Sequence, residues 1–204
     1  MSDLKIYVAC LASYNNGVLH GRHIDASTDI DEMQAEISAM LRESRFPNVM
    51  VECSDCEGDG CAKCHGKGEV PSAEEYAIHD YDGAVPASFG EYTSLATIAA
   101  WVELLDVAEE RGVPESVVVG VADHYGEPHG PDPFSATTTA IEDQLAGSAN
   151  SLQDWAENFL DDTGELESIP PHLRNYFDFK AFARDMQLGA VSYTHLTLPT
   201  NSLV

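Results

Sequence analysis

Between residues 69 and 173 the chain carries 22 acidic residues and a single basic one, Arg111. A segment so charged stays unfolded unless its apolar residues recur at a spacing that takes them out of water together. Here they do. In the run that starts at Ser94, Leu95, Ile98, Ala99, Val102, Leu105 and Val107 or Ala108 fall on one helical side, and Glu103, Asp106, Glu109 and Glu110 line much of the other. In the run that starts at Ser151, Leu152, Trp155, Ala156, Phe159 and Leu160 form an apolar stripe. Asp154, Glu157, Asp161 and Asp162 face water, and Ser151 can cap the helix. Acids four apart cost a helix about 0.2 to 0.5 kcal/mol per pair, so packing has to hold these helices together.

The formal charge of the 204 residues is -25, and 44% of them are hydrophobic, enough for one large domain or two to three small ones. Such a surface repels nucleic-acid and membrane phosphates and steers basic clefts toward it. Direct nucleic-acid or membrane binding is therefore not expected, and a DNA-binding protein is the natural partner. Two copies would match the charge of about 25 base pairs, roughly 85 Å of duplex. A generally acidic, salt-adapted proteome would produce the same composition. No apolar run approaches the ~18 residues of a membrane span, and the first residues lead straight into a strand-like segment, so a cytoplasmic location is expected.

Four of the five cysteines fall within residues 53–64, in two consecutive copies of CxxCxGxG. Cys53, Cys56, Cys61 and Cys64 give paired knuckles whose glycines let the backbone turn toward sulfur, and four thiolates suit a tetrahedral zinc ion. With every ligand a protein thiolate, no position is open for water or substrate, which points to a structural rather than a catalytic ion. Free thiols, labile disulfides, or His65 in place of one cysteine are the alternatives. Cys10, in an apolar strand, reads as a small core residue, and His20 and His23 as structural or surface residues.

In chain order, residues 4–11 form a buried-type strand, 14–17 a turn and 18–24 a second strand of a hairpin. Thr28 or Asp29 opens a helix through Met33, Ile37, Met40 and Leu41 that ends at the Phe46-Pro47-Asn48 turn. A strand at 49–52 is interrupted by the cysteine segment, and 73–82 returns to the same sheet, which puts the cysteines at a hairpin tip. Pro114 and Glu115 open a further helix, 127–134 is a linker, and 137–145 is helical, ending near Gly147. Gly164 ends the helix that Ser151 begins, Pro170 and Pro171 mark a stiff loop, and Tyr176, Phe179, Phe182 and Ala183 suggest a last helix with aromatic anchors.

Three stretches carry a family likeness: IYVA at 6–9 with Tyr14, Gly17, LHGR at 19–22 and IDA at 24–26; EYAIHDY at 75–81; and WAENF at 155–159 with TGELESIP at 163–170, Leu173, Tyr176, Asp178 and ARD at 183–185. In this order they resemble the ArdA antirestriction family. The resemblance implies an α+β fold, elongated and mainly helical with a small N-terminal antiparallel or mixed sheet. It also implies three modules, at 1–85 (with the cysteine insertion at 53–68), 86–126 and 127–190, and a homodimer formed through the C-terminal region when the native C-terminus is present. Members mimic bent DNA and occupy the DNA-binding cleft of type I restriction-modification enzymes, so no bond is made or broken and the chain is not an enzyme. The contact set on that reading is collective: Asp154, Glu157, Asp161, Asp162, Glu165 and Glu167, with Glu103, Asp106, Glu109 and Glu110 in support. Trp155, Phe159 and Tyr176 are expected to serve folding. The cysteine repeat is similar to the zinc module of J-domain chaperones, with a shorter spacing and no J-domain.

A zinc-stabilised adaptor that binds another basic partner through the cysteine insertion is the second functional class. Lys63 and Lys67 are too few for a strong phosphate footprint there. A carboxylate hydrolase comes third, because the many acids do not converge with a base, a nucleophile and an oxyanion donor. Residues 191–204 begin VSYTHLTLPT, the translation of a transposase sequencing adapter. They are expected to be an assembly artefact foreign to the fold, with the native C-terminus missing.

Overall fold

The fold is α+β, described by a computed structural model over residues 3–126, 132–144 and 149–189. The chain divides into two compact units, Met1–Ile141 and Glu142–Val204.

The first unit is built on β1 (Lys5–Cys10), flanked by β2 (Gly21–Asp25) and β5 (Tyr76–Asp82) in an antiparallel sheet of order β2-β1-β5. Alternation along β1 sends Ile6, Val8 and Cys10 to one face, where they pack with Ile24 and Ile78 against Met33, Ile37, Met40 and Leu41 of α2 (Ile30–Arg42). Asp29 caps α2 as expected: its Oδ1 accepts the N–H groups of Asp31 at 3.0 Å and Glu32 at 3.1 Å.

Two early expectations shift. Residues 14–17 do not form a simple turn, because Leu11–Asn15 winds into a short helix, α1, before Gly17 turns with φ 73°. β2 therefore starts at Gly21 rather than Val18. Gly21 is required there, since a Cβ would lie 2.5 Å from the Val8 carbonyl oxygen and 2.7 Å from the Tyr7 hydroxyl. His20 is structural: its Nε2 lies 2.8 Å from the Met40 carbonyl at the end of α2. His23 packs on Tyr7 with ring centroids 4.9 Å apart.

The strand at 49–52 is present as β3 (Val49–Glu52), but it does not join the main sheet. It pairs antiparallel with β4 (Glu69–Ser72), a strand the sequence did not announce, in a separate two-stranded ribbon with Val49 opposite Ser72 and Glu52 opposite Glu69. β5 does return to β1, pairing Ile6 with Tyr81 and Cys10 with Tyr76. The ribbon is tied to α2 where the Ala73 N–H donates to the Leu41 carbonyl at 3.1 Å.

After β5, Ser94 caps α3 (Leu95–Glu110) by accepting the Thr97 N–H at 3.1 Å. The buried side of α3 is wider than the predicted stripe, because Thr97, Trp101 and Leu104 are buried as well. Trp101 donates through Nε1 to the Ala84 carbonyl at 2.9 Å and packs on Phe134 at 5.1 Å and Phe89 at 6.0 Å. Phe134 therefore belongs to the core, 1% exposed, and not to a linker. It holds a left-handed φ of 64° at the start of α5 (Ser135–Thr139). Residues 127–131 lie outside the described part of that expected linker. α4 (Glu115–Tyr125) follows Pro114 as expected and stops at Gly126 in the left-handed conformation, φ 65°. The helix expected over 137–145 begins earlier, at Ser135, and widens into a π turn at Ala140–Gln144; residues 145–148 are outside the description.

In the second unit, α6 (Leu152–Asp162) follows the Ser151 cap, whose Oγ accepts the Asp154 N–H at 3.0 Å. Gly164 turns the chain with φ 70° into a 3-10 turn at Glu165–Ser168. The expected Pro170-Pro171 loop instead opens a helical turn, α7 (Pro171–Arg174), because a proline suits the first position of a helix. α8 (Phe179–Gly189) packs on α6, with Ala156, Leu160 and Ala183 buried. Trp155 stacks on Phe159 at 5.1 Å. Tyr176 is not an anchor: it precedes α8 and is 84% exposed, while Phe177 takes that place in ring contact with Phe179 and Phe182. Among the described residues no helix is long and apolar enough to cross a membrane. The segment 191–204 lies outside the description.

Candidate metal centre and acidic faces

The ribbon β3–β4 carries the two CxxCxGxG copies at its tip, closed where the Cys53 N–H donates to the Gly68 carbonyl at 2.8 Å. The copies are offset by eight residues, and their backbones repeat with that offset. Glu57 and His65 have φ 46° and 52°, Gly58 and Gly66 have 86° and 77°, and Gly60 and Gly68 have 89° and 73°. This run of left-handed residues wraps the chain back over its own sulfur: the Gly60 N–H donates to Cys56 Sγ at 3.2 Å, and the Gly68 N–H to Cys64 Sγ at 3.3 Å.

The two knuckles meet glycine to glycine. A Cβ on Gly60 would lie 2.9 Å from the Gly66 carbonyl oxygen, and one on Gly68 would lie 2.3 Å from that of Gly58. The contacts are reciprocal, as a local two-fold relation between the copies requires. Asp55 and Lys63, the third residues of the two CxxC units, form an ion pair at 2.8 Å.

All four cysteine Sγ atoms lie within 4.8 Å of one another. Cys53 and Cys61, Cys56 and Cys64, and Cys61 and Cys64 are each 3.8 Å apart. Thiolates about 2.3 Å from a tetrahedral ion lie about 3.8 Å from each other, so the sulfur spacing fits a metal ion at the centre. The N–H groups of Cys61 and Gly68 hold the Cys64 thiol down to about 6, against desolvation, while desolvation pushes that of Cys56 up to about 12. A divalent cation among them offsets that second cost, because it favours every thiolate. Cys53 and Cys64 are buried and Cys56 and Cys61 half-buried. Cys10 stands apart in the sheet, fully buried, with its Sγ donating to Ser44 Oγ at 3.4 Å.

The acids proposed for partner contact fall into two groups. Glu103, Asp106, Glu109 and Glu110 lie on α3 of the first unit, and Asp154, Glu157, Asp161, Asp162, Glu165 and Glu167 lie on α6 and the 3-10 turn of the second. Most of them are exposed. Asp106 and Glu157 are half-buried, and Glu157 Oε1 accepts the Gln153 side-chain amide at 2.9 Å. Four ion pairs among the described residues, Lys5–Asp25, Arg22–Glu43, Lys63–Asp55 and Arg184–Asp185, lie outside residues 69–173; the sequence of that segment holds one Lys or Arg, Arg111.

The profile of the antirestriction protein family ArdA matches residues 6–197. The chain belongs to the ArdA family. The match spans both units of this ArdA chain and continues past Val191, where the adapter-like sequence begins. No curated protein matches the chain. Sequence reasoning missed the Asp55–Lys63 pair and the reciprocal glycine contacts. Their signal was the eight-residue repeat itself, which places each pair at equivalent positions.

Proposed function

We propose that this ArdA chain acts by presenting carboxylates in place of DNA phosphates to the DNA-binding cleft of a type I restriction-modification enzyme. It binds as a stoichiometric competitor and not as an enzyme. The observation that carries this reading is the imbalance in residues 69–173, with 22 acids against one base, together with the exposure of Asp154, Asp161, Asp162, Glu165 and Glu167. Exposed carboxylates on helix faces steer a basic cleft from a distance, and their fixed spacing selects among basic proteins. The three-module division, the homodimer and the cytoplasmic location belong to the same reading. Zinc in the four-cysteine centre is its structural cofactor, favoured by four soft thiolates at tetrahedral spacing.

The test is displacement of fluorescent duplex DNA from a type I methyltransferase core at several salt concentrations. Displacement near one-to-one stoichiometry that weakens as salt screens the charges supports the reading. A folded preparation that displaces nothing at low salt overturns it. The same assay on a chain lacking residues 53–68 separates mimicry, which survives the deletion, from an adaptor that works through the metal module, which does not.

A further inference from the structure

We propose that the four-cysteine module is also a thiol oxidation site, with disulfides that form between the two knuckles, Cys53 to Cys61 and Cys56 to Cys64. The pairing rests on the sulfur geometry alone, and the accompanying release of metal rests on the zinc reading above. Among the sulfur contacts at 3.8 Å, this scheme is the one that uses all four atoms, since pairing Cys61 with Cys64 takes a sulfur from each of the other two contacts. Each proposed pair also joins equivalent positions of the repeat and combines one half-buried cysteine, Cys61 or Cys56, with one buried cysteine, Cys53 or Cys64. The more accessible residue meets the oxidant first, and its partner's sulfur is already in van der Waals contact. Closing the gap to a disulfide of about 2.05 Å needs a shift of the knuckles toward each other.

With hydrogen peroxide as oxidant, Cys56 gives up its proton to solvent and the resulting thiolate attacks one peroxide oxygen. The O–O bond breaks, hydroxide leaves, and Cys56 becomes a sulfenic acid. The Cys64 thiolate then attacks that sulfur and displaces a second hydroxide, giving the disulfide. Two protons from solvent turn the hydroxides into water. One peroxide is reduced and two thiolates are oxidised, and Cys61 with Cys53 repeats the sequence with a second peroxide. Disulfide sulfur is a poor ligand, so a bound metal ion leaves, and the module loses the two negative charges of a four-thiolate centre holding a divalent ion.

The experiment treats the intact protein with stoichiometric hydrogen peroxide, with glutathione in a parallel tube as a control for oxidant strength. It reads released metal with a chromogenic indicator and disulfides by peptide mass mapping. The expected result is two disulfides, Cys53–Cys61 and Cys56–Cys64, reversed by dithiothreitol, with Cys10 unmodified in the core. Cys56→Ser is expected to keep the Cys53–Cys61 bridge. A Cys61–Cys64 bridge, sulfinic or sulfonic acids without disulfides, or unreacted thiols under conditions that oxidise glutathione would overturn the proposal. Metal content measured beforehand keeps the two readings apart. A metal-free protein that forms both cross-knuckle bridges refutes zinc and supports the pairing, and a metal-loaded protein that forms any other pattern does the reverse.

Discussion

Asp55 and Lys63 occupy the same position in the two CxxC units and meet each other at 2.8 Å. One copy supplies the anion and the other the cation, so a repeat that would otherwise place like beside like is complementary across its local two-fold relation. The pair holds the Asp55 carboxyl below, and the Lys63 ammonium above, their ordinary ranges. Both side chains are about half exposed, so the contact orients the knuckles more than it stabilises them. Lys63→Ala is expected to leave the unfolding temperature nearly unchanged and not to alter how much metal the cysteines take up. Calorimetry and metal analysis on one preparation check both parts.

The glycines of the repeat separate steric need from backbone preference. Gly66 and Gly68 share a left-handed backbone, φ 77° and 73°, yet a Cβ on Gly66 meets open space while one on Gly68 lies 2.3 Å from the Gly58 carbonyl oxygen. Gly66→Ala is expected to cost about 1 kcal/mol, the ordinary penalty of a left-handed alanine, and to keep the metal. Gly68→Ala is expected to push the knuckles apart and weaken metal binding at least tenfold, read by competition with a chromogenic chelator.

Removal of the proposed metal ion by a chelator is expected to act locally. The centre sits at the tip of the β3–β4 ribbon, while the sheet and α2 form their own buried cluster from Ile6 to Ala99. Hydrogen exchange after chelation should show protection lost across residues 53–68 and retained at Ile6 and Val8. A collapse of protection at Ile6 would mean that the ribbon is integral to the core.

Trp101 and Tyr176 separate core from surface. Trp101 is fully buried between Phe89 and Phe134, so Trp101→Ala is expected to cost about 3 to 5 kcal/mol in urea unfolding. Tyr176, 84% exposed, should cost within about 0.5 kcal/mol when changed to alanine.

Burial raises the Tyr81 phenol above its usual range; its hydroxyl also donates to the Gly90 carbonyl at 2.8 Å. Folding thus favours the protonated phenol. The stability it contributes is whole below about pH 10, the unfolded value, and is lost as pH rises from there through the folded value. Alkaline unfolding of Tyr81→Phe should show a shallower loss of stability above pH 10 than the parent chain.

The helix ends were legible because their chemistry is local. Asp29, Ser94 and Ser151 each cap the helix they precede through their own side-chain oxygen, and Gly126 and Gly164 turn left-handed where helices stop. The four cysteines were legible because their spacing alone places them on paired knuckles. What the sequence hid depends on partners remote in the chain. β4 reads EVPS, too short to show alternation and broken by Pro71, and it becomes a strand by pairing with β3 across the knuckles. Phe134 looks like a loop residue until Trp101 is found against it. Tyr176 and Phe177 are adjacent aromatics, and which of them packs is set by the turn after α7.

The position of β1 bears on the order in which this protein assembles during synthesis. β1 is the central strand, yet its second neighbour, β5, lies beyond α2 and the cysteine module in the chain. As the chain leaves the ribosome, the β1–β2 pair and α2 emerge with one edge of β1 unpaired. The knuckles, whose cysteines and glycines meet one another within residues 53–68, can close next and draw the ends of that segment together. That shortens the loop the chain must close before Tyr76 can reach Cys10. An ion captured early would thus speed the last step of sheet formation while adding little to the finished sheet.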